Sequence, residues 1–327
     1  MLLKAPLTYL KRKPKPRLTI EGDPKIMWAK SGKANVSKGQ GANIQKISGL
    51  GSSGWIFIFP VIAMLAIFFL VPLAGVIYLS LTEWSLIGSP VFSGFSNYQE
   101  IFANPQFWSA VRVTGKLSLE MAIPGALIAF ILAIMINEGK KTNYVSTVLL
   151  FPLVFPSIVA VFIWEAMFKG DGILNSFFGI NINWVTSSSW ALPSLVLMML
   201  WTNLGYYTII ALAGVRDLPA ELFDAASLDG AGYFAKIRWI TIPLMKPILL
   251  FLLMVGTSDA LTLFIQPYLL TGGGPGDSTR TLSQLIYQTA FMYTDIGKAS
   301  AIAVTLLLAA LVVAGLQFRV FSKDREI

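Results

Sequence analysis

Between two long apolar segments the chain carries ELFDAASLDGAGYFAKIRWITIPLMKP, residues Glu221 to Pro247. Ala225 and Ala226 are small enough to let another backbone approach closely, whereas a helix lying on a membrane surface more often carries bulky apolar residues. Gly230 suits the left-handed backbone conformation that commonly ends a helix. The stretch therefore predicts two short helices, separated at Gly230, with a surface that contacts a partner.

Capping residues predict the ends of these two loop helices. Asp217 is predicted as the N-cap of the first helix, with Pro219 in its first turn and Glu221 placed to complement the helix dipole. The second helix is predicted from Ala231 to about Ile240. Pro243 is expected to stop it and to lead into the next apolar segment.

The composition of the chain points to a membrane protein and away from most enzymes. Of 327 residues, 55% are apolar and 13% are charged, against about 25% charged residues in soluble proteins. The absence of cysteine excludes disulfides and thiolate chemistry, and the absence of histidine removes the commonest general base and metal ligand. We therefore predict no catalytic residue, no metal site and no cofactor bound by this chain.

Six apolar segments each reach the ~20 residues that cross ~30 Å of hydrocarbon. In lipid, only a helix satisfies every backbone polar group within one segment, so all six are predicted as helices. The predicted fold class is an all-α integral membrane protein with six transmembrane helices, and residues 216–247 form the loop between the fourth and the fifth. The segments are Trp55–Leu81, Leu117–Ile136, Thr147–Phe168, Trp190–Val215, Ile248–Thr271 and Ala301–Phe321.

Basic residues are distributed unequally between the two sides of this topology. Of the 25 Lys and Arg residues, 20 lie on the side that contains both termini and residues 216–247, and 5 lie on the other side. Because cytoplasmic loops carry the basic excess, both termini and this loop are predicted to be cytosolic. Residues 1–54 are predicted as a basic, disordered cytosolic tail, and residues 55–327 as the six-helix membrane domain. Much of the net charge of +8 lies in that tail beside the bilayer, so nucleic acid is not a predicted partner.

The loop between segments four and five resembles the cytoplasmic loop of ABC importer permeases, whose pattern is EAA-x3-G-x9-I-x-L-P. Here Asp224, Ala225 and Ala226 are followed after three residues by Gly230 and after nine more by the residues Ile240–Pro243. The spacing matches throughout, with Asp in place of Glu at 224 and Ile in place of Leu at 242. The resemblance covers residues 55–327.

This resemblance implies a type I ABC importer permease fold, with a coupling helix that docks in a groove of a separate ATPase subunit. It implies a bacterial cytoplasmic (inner) membrane location and a chain that is not itself an enzyme. The implied partners are a second homologous permease, two ABC ATPase subunits that bind ATP and Mg²⁺, and an extracytoplasmic solute-binding protein. The residues expected to couple to the ATPase subunit are Glu221, Asp224, Ala225, Ala226, Gly230, Ile240, Ile242 and Pro243.

Two stretches on the side of the membrane opposite to this loop indicate which group of permeases the chain resembles. GFSNYQEIFANPQFWSAVRVT (Gly94–Thr114) and YLLTGGGPGDSTRTLSQLIYQTAFMYTDIGKASAIA (Tyr268–Ala303) resemble the outer loops of permeases for disaccharides, oligosaccharides and glycerol phosphates, such as the maltose permeases. The resemblance therefore implies a sugar or a related solute as substrate. Within the second stretch, GGGPGDST is not predicted as a phosphate loop, because it has no Lys before the Ser and lies outside the cell.

Polar residues inside two apolar segments are the candidates for the solute path. Ionisable groups within membrane helices are costly and usually face an interior or a water-filled path, which singles out Asp259. Aromatic, amide and hydroxyl groups suit a sugar, although helix–helix contact explains the same residues equally well. The resemblance favours the sugar path. Asp259 would disfavour an acidic glycan only if its charge is not neutralised by protonation or by a neighbouring group, including one from the partner permease. The candidates are Asn203, Tyr206, Tyr207, Ser258, Asp259, Thr262 and Gln266.

A second function remains open at this point. An ion- or proton-coupled secondary transporter would use Asp259 as its coupling carboxylate and would need no ATPase groove. The two functions differ in their energy source, because one follows ATP and the other follows the proton or ion gradient.

Overall fold

The first membrane-crossing segment of the computed structural model is a long helix with a π-helical turn in its middle. The structure describes residues 53–139 and 142–323, so the tail predicted for residues 1–54 lies outside the description except for its last two residues. Helix α1 (Ser53–Leu65) is followed by the π turn (Ala66–Leu70) and α2 (Val71–Leu79). The side chains of this segment from Ile58 to Leu79 are not buried by the chain itself, as expected for a lipid-facing helix.

A small outer element follows this helix. Strands β1 (Thr82–Glu83) and β2 (Val91–Phe92) pair antiparallel, with Thr82 opposite Phe92, and helix α3 (Ser96–Ala103) comes next. The buried Asn97 side chain holds the element together, because its amide donates hydrogen bonds to the carbonyls of Ser80 and Thr82 at 3.0 and 2.9 Å.

The second membrane segment is a single helix of 34 residues, α4 (Pro105–Glu138). It begins well before the predicted start at Leu117, because Asn104 caps it and Pro105 occupies its first turn. The Asn104 side chain accepts a hydrogen bond from the backbone amide of Gln106 at 2.9 Å. The first turns are amphipathic and lie outside the apolar run from which the prediction was made.

The third segment is broken, so the prediction of one helix over Thr147–Phe168 is wrong. Helix α5 (Thr142–Leu150) and a 3₁₀ turn (Phe151–Val154) are followed by α6 (Ser157–Phe168), and the two halves meet at 99°. The break lies at Phe155, which is extended and precedes Pro156. A residue before proline is disfavoured in the helical region, which gives the bend its physical cause.

The fourth segment is one long helix, which a short outer helix precedes and two short loop helices follow. A short outer helix, α7 (Ile173–Phe178), precedes α8 (Ala191–Arg216), which matches the predicted fourth segment closely. The loop helix α9 (Ala220–Leu228) then leads to α10 (Tyr233–Lys236).

The fifth segment starts and ends earlier than predicted. A π turn (Ile237–Thr241) joins α10 to α11 (Ile242–Leu261), so one helical span runs from Tyr233 to Leu261 instead of from Ile248 to Thr271. The remaining elements are α12 (Ile265–Leu270), α13 (Leu282–Tyr287) with a π turn (Gln288–Met292), and α14 (Ile296–Lys323).

The predicted all-α membrane fold is confirmed. Within the described ranges, five helices are long and apolar enough to span a membrane, and the bent pair α5–α6 gives a sixth span if it is counted as one. Helix α4 packs most extensively on α8 and α11. Its contact face carries small residues at helical spacing, which lets neighbouring helices approach closely. These residues are Ala122, Ala126, Ala129 and Ala133.

Candidate coupling loop and solute cavity

The first loop helix ends at a glycine in the left-handed conformation, as predicted. Gly230 has a φ of +78°. The amide of Ala231 donates to the carbonyl of Ala226 at 2.8 Å, and the amide of Gly230 donates to that of Ser227 at 3.1 Å. This pair of hydrogen bonds defines a Schellman motif, which fixes the direction in which the chain leaves α9.

The start of the loop differs from the prediction. Asp217 is not the N-cap of α9. It follows the last residue of α8, and its amide donates to the carbonyl of Ala213 at 3.1 Å. Pro219 occupies the N-cap position, and Glu221 lies in the first turn as expected.

The end of the loop also differs, because Pro243 does not stop a helix. Ile240 lies in the π turn, and Ile242 and Pro243 form the first turn of α11, so the helical span continues through all three. Proline lacks a backbone N–H and is tolerated in the first turn of a helix. These residues therefore belong to the start of the fifth span.

Helix α9 presents an apolar outward face. Leu222, Ala225 and Leu228 are exposed, with 44% of Leu222 and 91% of Leu228 accessible. The spacing of Leu222, Ala225 and Ala226 predicts that they share one face, but Ala226 is half-buried with Phe223 on the inner side and does not. Sequence analysis missed Leu228, although its three-residue spacing from Ala225 was readable.

A cavity of about 500 Å³ lies between α9 and the adjoining ends of α4, α8 and the fifth span. Its lining includes Asp224 and Phe223 from α9. The Tyr233 hydroxyl donates to Glu138 of α4 at 3.1 Å, and the Lys236 ammonium donates to the Ser227 hydroxyl at 2.7 Å. These contacts attach the loop to α4 and hold α9 against the start of the fifth span. Sequence analysis missed them, because Glu138 and Tyr233 are far apart in the chain.

A second cavity, of about 360 Å³, is named the solute cavity after the predicted path, because it brings together four of the predicted path residues, Asn203, Asp259, Thr262 and Gln266. It lies where α11 ends at Leu261, before α12 begins. The Thr262 hydroxyl donates to the carbonyl of Ser258 at 3.1 Å, within the last turn of α11. The Asn203 amide donates to the Met199 carbonyl at 3.1 Å. The other residues of the lining are Met199, Leu263, Phe264 and Ile265.

The three remaining predicted path residues lie outside this lining. Ser258 is exposed and donates to the carbonyl of Met254 at 2.9 Å. Tyr206 is 42% exposed on α8. Tyr207 is only 1% exposed and lies behind the cavity wall, where its hydroxyl donates to Oδ2 of Asp259 at 2.9 Å. Tyr207 therefore contacts a lining residue of the cavity and not the cavity itself.

Sequence analysis missed a group of aromatic rings beside this cavity. Phe264 lies on the lining, and its ring stacks on Tyr268 with centroids 5.3 Å apart. The ring of Tyr287 lies 5.0 Å from Phe264 and 5.3 Å from Tyr268. The four-residue spacing of Phe264 and Tyr268 was readable in the sequence, whereas the approach of Tyr287 depends on the tertiary fold.

Among the residues that the structure describes, no group of three or more Asp and Glu is placed to hold a metal ion. The polar groups of the solute cavity are one carboxylate, two amides and one hydroxyl, none of which is a strong nucleophile. Such groups can bind and orient a hydroxylated solute by hydrogen bonding.

Comparison with known proteins places the chain in a family. Residues 121–323 match the profile of the "Binding-protein-dependent transport system inner membrane component" family. The chain is 31% identical to the trehalose/maltose transport system permease protein MalF of Thermococcus litoralis over 265 residues, covering 79% of this chain and 90% of that protein. It is 33% identical to the sulfoquinovosyl glycerol transport system permease protein SmoG of Agrobacterium fabrum over 275 residues, covering 81% and 89%.

The fold also matches a solved structure. A chain of a bacterial ABC transporter involved in the import of the acidic polysaccharide alginate aligns with a TM-score of 0.72 and 22% identity, covering 82% of this chain and 94% of that one. This likeness supports the type I permease fold expected from the resemblance. The chain therefore belongs to the family of inner membrane components of binding-protein-dependent transport systems.

Proposed function

We propose that this permease passes a sugar across the bacterial cytoplasmic membrane, driven by ATP hydrolysis in separate subunits. The main support is the identity of 30% or more to relatives whose names include trehalose/maltose, sulfoquinovosyl glycerol and lactose. The solute cavity has the matching chemistry, because amide, hydroxyl and carboxylate groups lie beside a half-buried aromatic group. Aromatic faces cover the C–H surfaces of sugars, and the polar groups bind their hydroxyls.

The loop of α9 is the proposed contact with the ATPase subunit. Leu222, Ala225 and Leu228 form an apolar face that nothing else in the described residues covers. The residues that flank this face or determine its direction are Glu221, Asp224, Ala226 and Gly230. Ile240, Ile242 and Pro243 transmit its movement, because they begin the helix that continues to Asp259. ATP and Mg²⁺ are bound by the partner, not by this chain.

The proposed assembly contains this chain, a second homologous permease, two ABC ATPase subunits and an extracytoplasmic solute-binding protein. Both termini and the α9 loop face the cytosol, since 20 of the 25 Lys and Arg residues lie on that side. The solute cavity then opens alternately to the two sides as the helices of the paired permeases move.

Uptake in membrane vesicles tests this proposal against an ion- or proton-coupled transporter that uses Asp259. The vesicles contain the complete complex, the solute-binding protein and a radiolabelled sugar identified by a binding screen on that protein. We expect uptake to require enclosed ATP and to persist when a protonophore collapses the proton gradient. Uptake that persists without ATP and stops with the protonophore would refute the ATP-driven mechanism.

A further inference from the structure

The charge of the solute cavity comes from a single lining residue. Asp259 is the one charged residue in its lining, and no Lys or Arg accompanies it there. The other lining groups are neutral amides, a hydroxyl and apolar side chains. Helix α8, which contributes Met199 and Asn203 to the lining, belongs to a stretch from residue 172 to residue 215 that contains no charged residue.

The orientation of this carboxylate is fixed from behind. Tyr207 donates to Oδ2 of Asp259 at 2.9 Å, and among the described residues it is the only side-chain partner of that carboxylate. The buried tyrosine therefore holds one oxygen at the wall and leaves the other available to the cavity. A carboxylate accepts hydrogen bonds from hydroxyl or ammonium groups, and it repels a second anion strongly where water is scarce.

We propose that Asp259, positioned by Tyr207, makes the solute cavity selective by charge, so that it admits neutral and amino sugars and rejects uronates and phosphorylated sugars. The inference rests on the proposed sugar path and adds its substrate class. The fold alone does not impose this preference, since a transporter with the same fold imports the acidic polysaccharide alginate.

Because the chain contains no cysteine, a thiol introduced at this site can report the electrostatic potential there. Thr262 is exposed within the cavity, so Thr262→Cys places the only thiol of this chain beside Asp259, and the complex without this substitution gives the background from thiols of the partner subunits. The thiol is modified in the assembled complex with cationic trimethylammonium-ethyl and anionic sulfonato-ethyl methanethiosulfonate. The rate with the cationic reagent is divided by the rate with the anionic reagent, and this ratio is then divided by the same ratio for a free thiol in solution.

We expect this normalised ratio to favour the cationic reagent by about fivefold or more, from the Coulomb energy of a carboxylate within one cavity width. Asp259→Asn in the same background should return the ratio to about one. Tyr207→Phe should retain most of the preference, because it removes the hydrogen bond and keeps the charge. Ser189→Cys, exposed in the uncharged stretch, serves as the control and should show no preference.

A ratio of one with Asp259 intact, or a preference that survives Asp259→Asn, would overturn the proposal. So would a Thr262→Cys thiol that reacts with neither reagent, because that residue would then not line an open path. A second arm compares uptake of neutral oligosaccharides with that of their uronate and phosphorylated counterparts. Uptake of a uronate by the wild-type complex at the rate of its neutral counterpart would also overturn it. If no sugar of any charge is taken up, the sugar function fails, while the reaction ratio still reports whether Asp259 sets the field.

Discussion

Tyr207 of α8 and Asp259 of α11 form a side-chain hydrogen bond of 2.9 Å inside the helix bundle. Tyr207 also lies against two glycines on neighbouring helices. A Cβ atom added at Gly125 would come within 3.0 Å of the tyrosine ring, and one added at Gly256 would come within 3.4 Å of its hydroxyl. The pair thus lies at the junction of α4, α8 and α11 and forms the back wall of the solute cavity.

Removing the tyrosine hydroxyl is expected to weaken this junction modestly. Tyr207→Phe deletes the hydrogen bond without changing the ring, and such bonds between membrane helices contribute about 0.6–2 kcal/mol. We expect a lower thermal midpoint of the purified complex and slower uptake, because Asp259 loses its fixed orientation. Tyr206→Phe is the matched control, since Tyr206 is half-exposed and has no hydrogen-bond partner among the described residues. Equal thermal midpoints for the two variants would contradict a structural role of this hydrogen bond.

Close approach of α4 and α11 depends on Gly256. A Cβ there would lie 2.9 Å from Cα and 3.2 Å from Cβ of Ala122, so the helices would have to separate. Gly256→Ala is expected to destabilise the protein by about 1–3 kcal/mol, as overpacking of a close-packed interior does. Gly115→Ala is the control, because that glycine lies in α4, the helix against which Gly256 packs, but has open space around it. Thermal unfolding in detergent compares the two, and a Gly256→Ala protein as stable as the control would contradict the packing.

Asn175 is expected to determine the structure of the outer loop around α7. Its side-chain amide donates to the carbonyls of Gly170 and Ile182, both at 3.0 Å, and its oxygen accepts from the Trp184 indole at 2.9 Å. Asn175→Asp places a carboxylate against two carbonyl oxygens. A lost charged or buried hydrogen bond costs about 1–3 kcal/mol, so the loop should open.

Limited proteolysis of the purified complex measures this opening. We expect faster cleavage within residues 170–184 in Asn175→Asp than in Asn181→Asp, which adds the same charge at an exposed position of the same loop. Similar cleavage rates in both variants would show that charge, and not the network of Asn175, accounts for any change.

Hydropathy was sufficient to predict the approximate positions of the five unbroken spans, because an apolar run of bilayer length has few alternatives to a helix. It failed at the ends of the second and fifth spans. Their first turns, at Pro105 and Tyr233, are polar or amphipathic and carry no strong apolar signal. The break at Phe155 was readable from Pro156, but the size of the resulting bend, 99°, was not.

The candidate site likewise has some features that the sequence predicted and others that depend on the tertiary fold. The spacing from Asp224 to Gly230 predicted a helix with a left-handed end, because local backbone chemistry determines such a motif. The π turn before Pro243 was not predictable, since it depends on how the loop helix joins the span. Tyr207 and Asp259 were both candidates, but only the packing of α8 on α11 shows that one supports the other.

An added charge tests the apolar face of α9. Ala225→Asp places a carboxylate on the exposed face with Leu222 and Leu228, where docking of the ATPase would remove it from water. We expect the ATPase subunits to co-purify poorly with this variant. Gly232→Asp adds the same charge at the N-cap of α10, which favours Asp, and should retain the ATPase. Full retention by Ala225→Asp would exclude this face as the contact.

The number of sugar molecules imported per ATP hydrolysed, compared between Gly230→Val and Gly230→Asn, tests the coupling role of the loop most directly. Gly230 has open space around it, so only its φ of +78° restricts the substitution. Asparagine tolerates this conformation, whereas β-branched valine is strongly disfavoured there. We predict normal membrane insertion of both variants and near wild-type import per ATP for Gly230→Asn. For Gly230→Val we predict a loss of about tenfold or more in import per ATP. A tenfold loss corresponds to about 1.4 kcal/mol of weakened contact between the redirected loop helix and the ATPase subunit. Wild-type coupling in Gly230→Val would contradict the account.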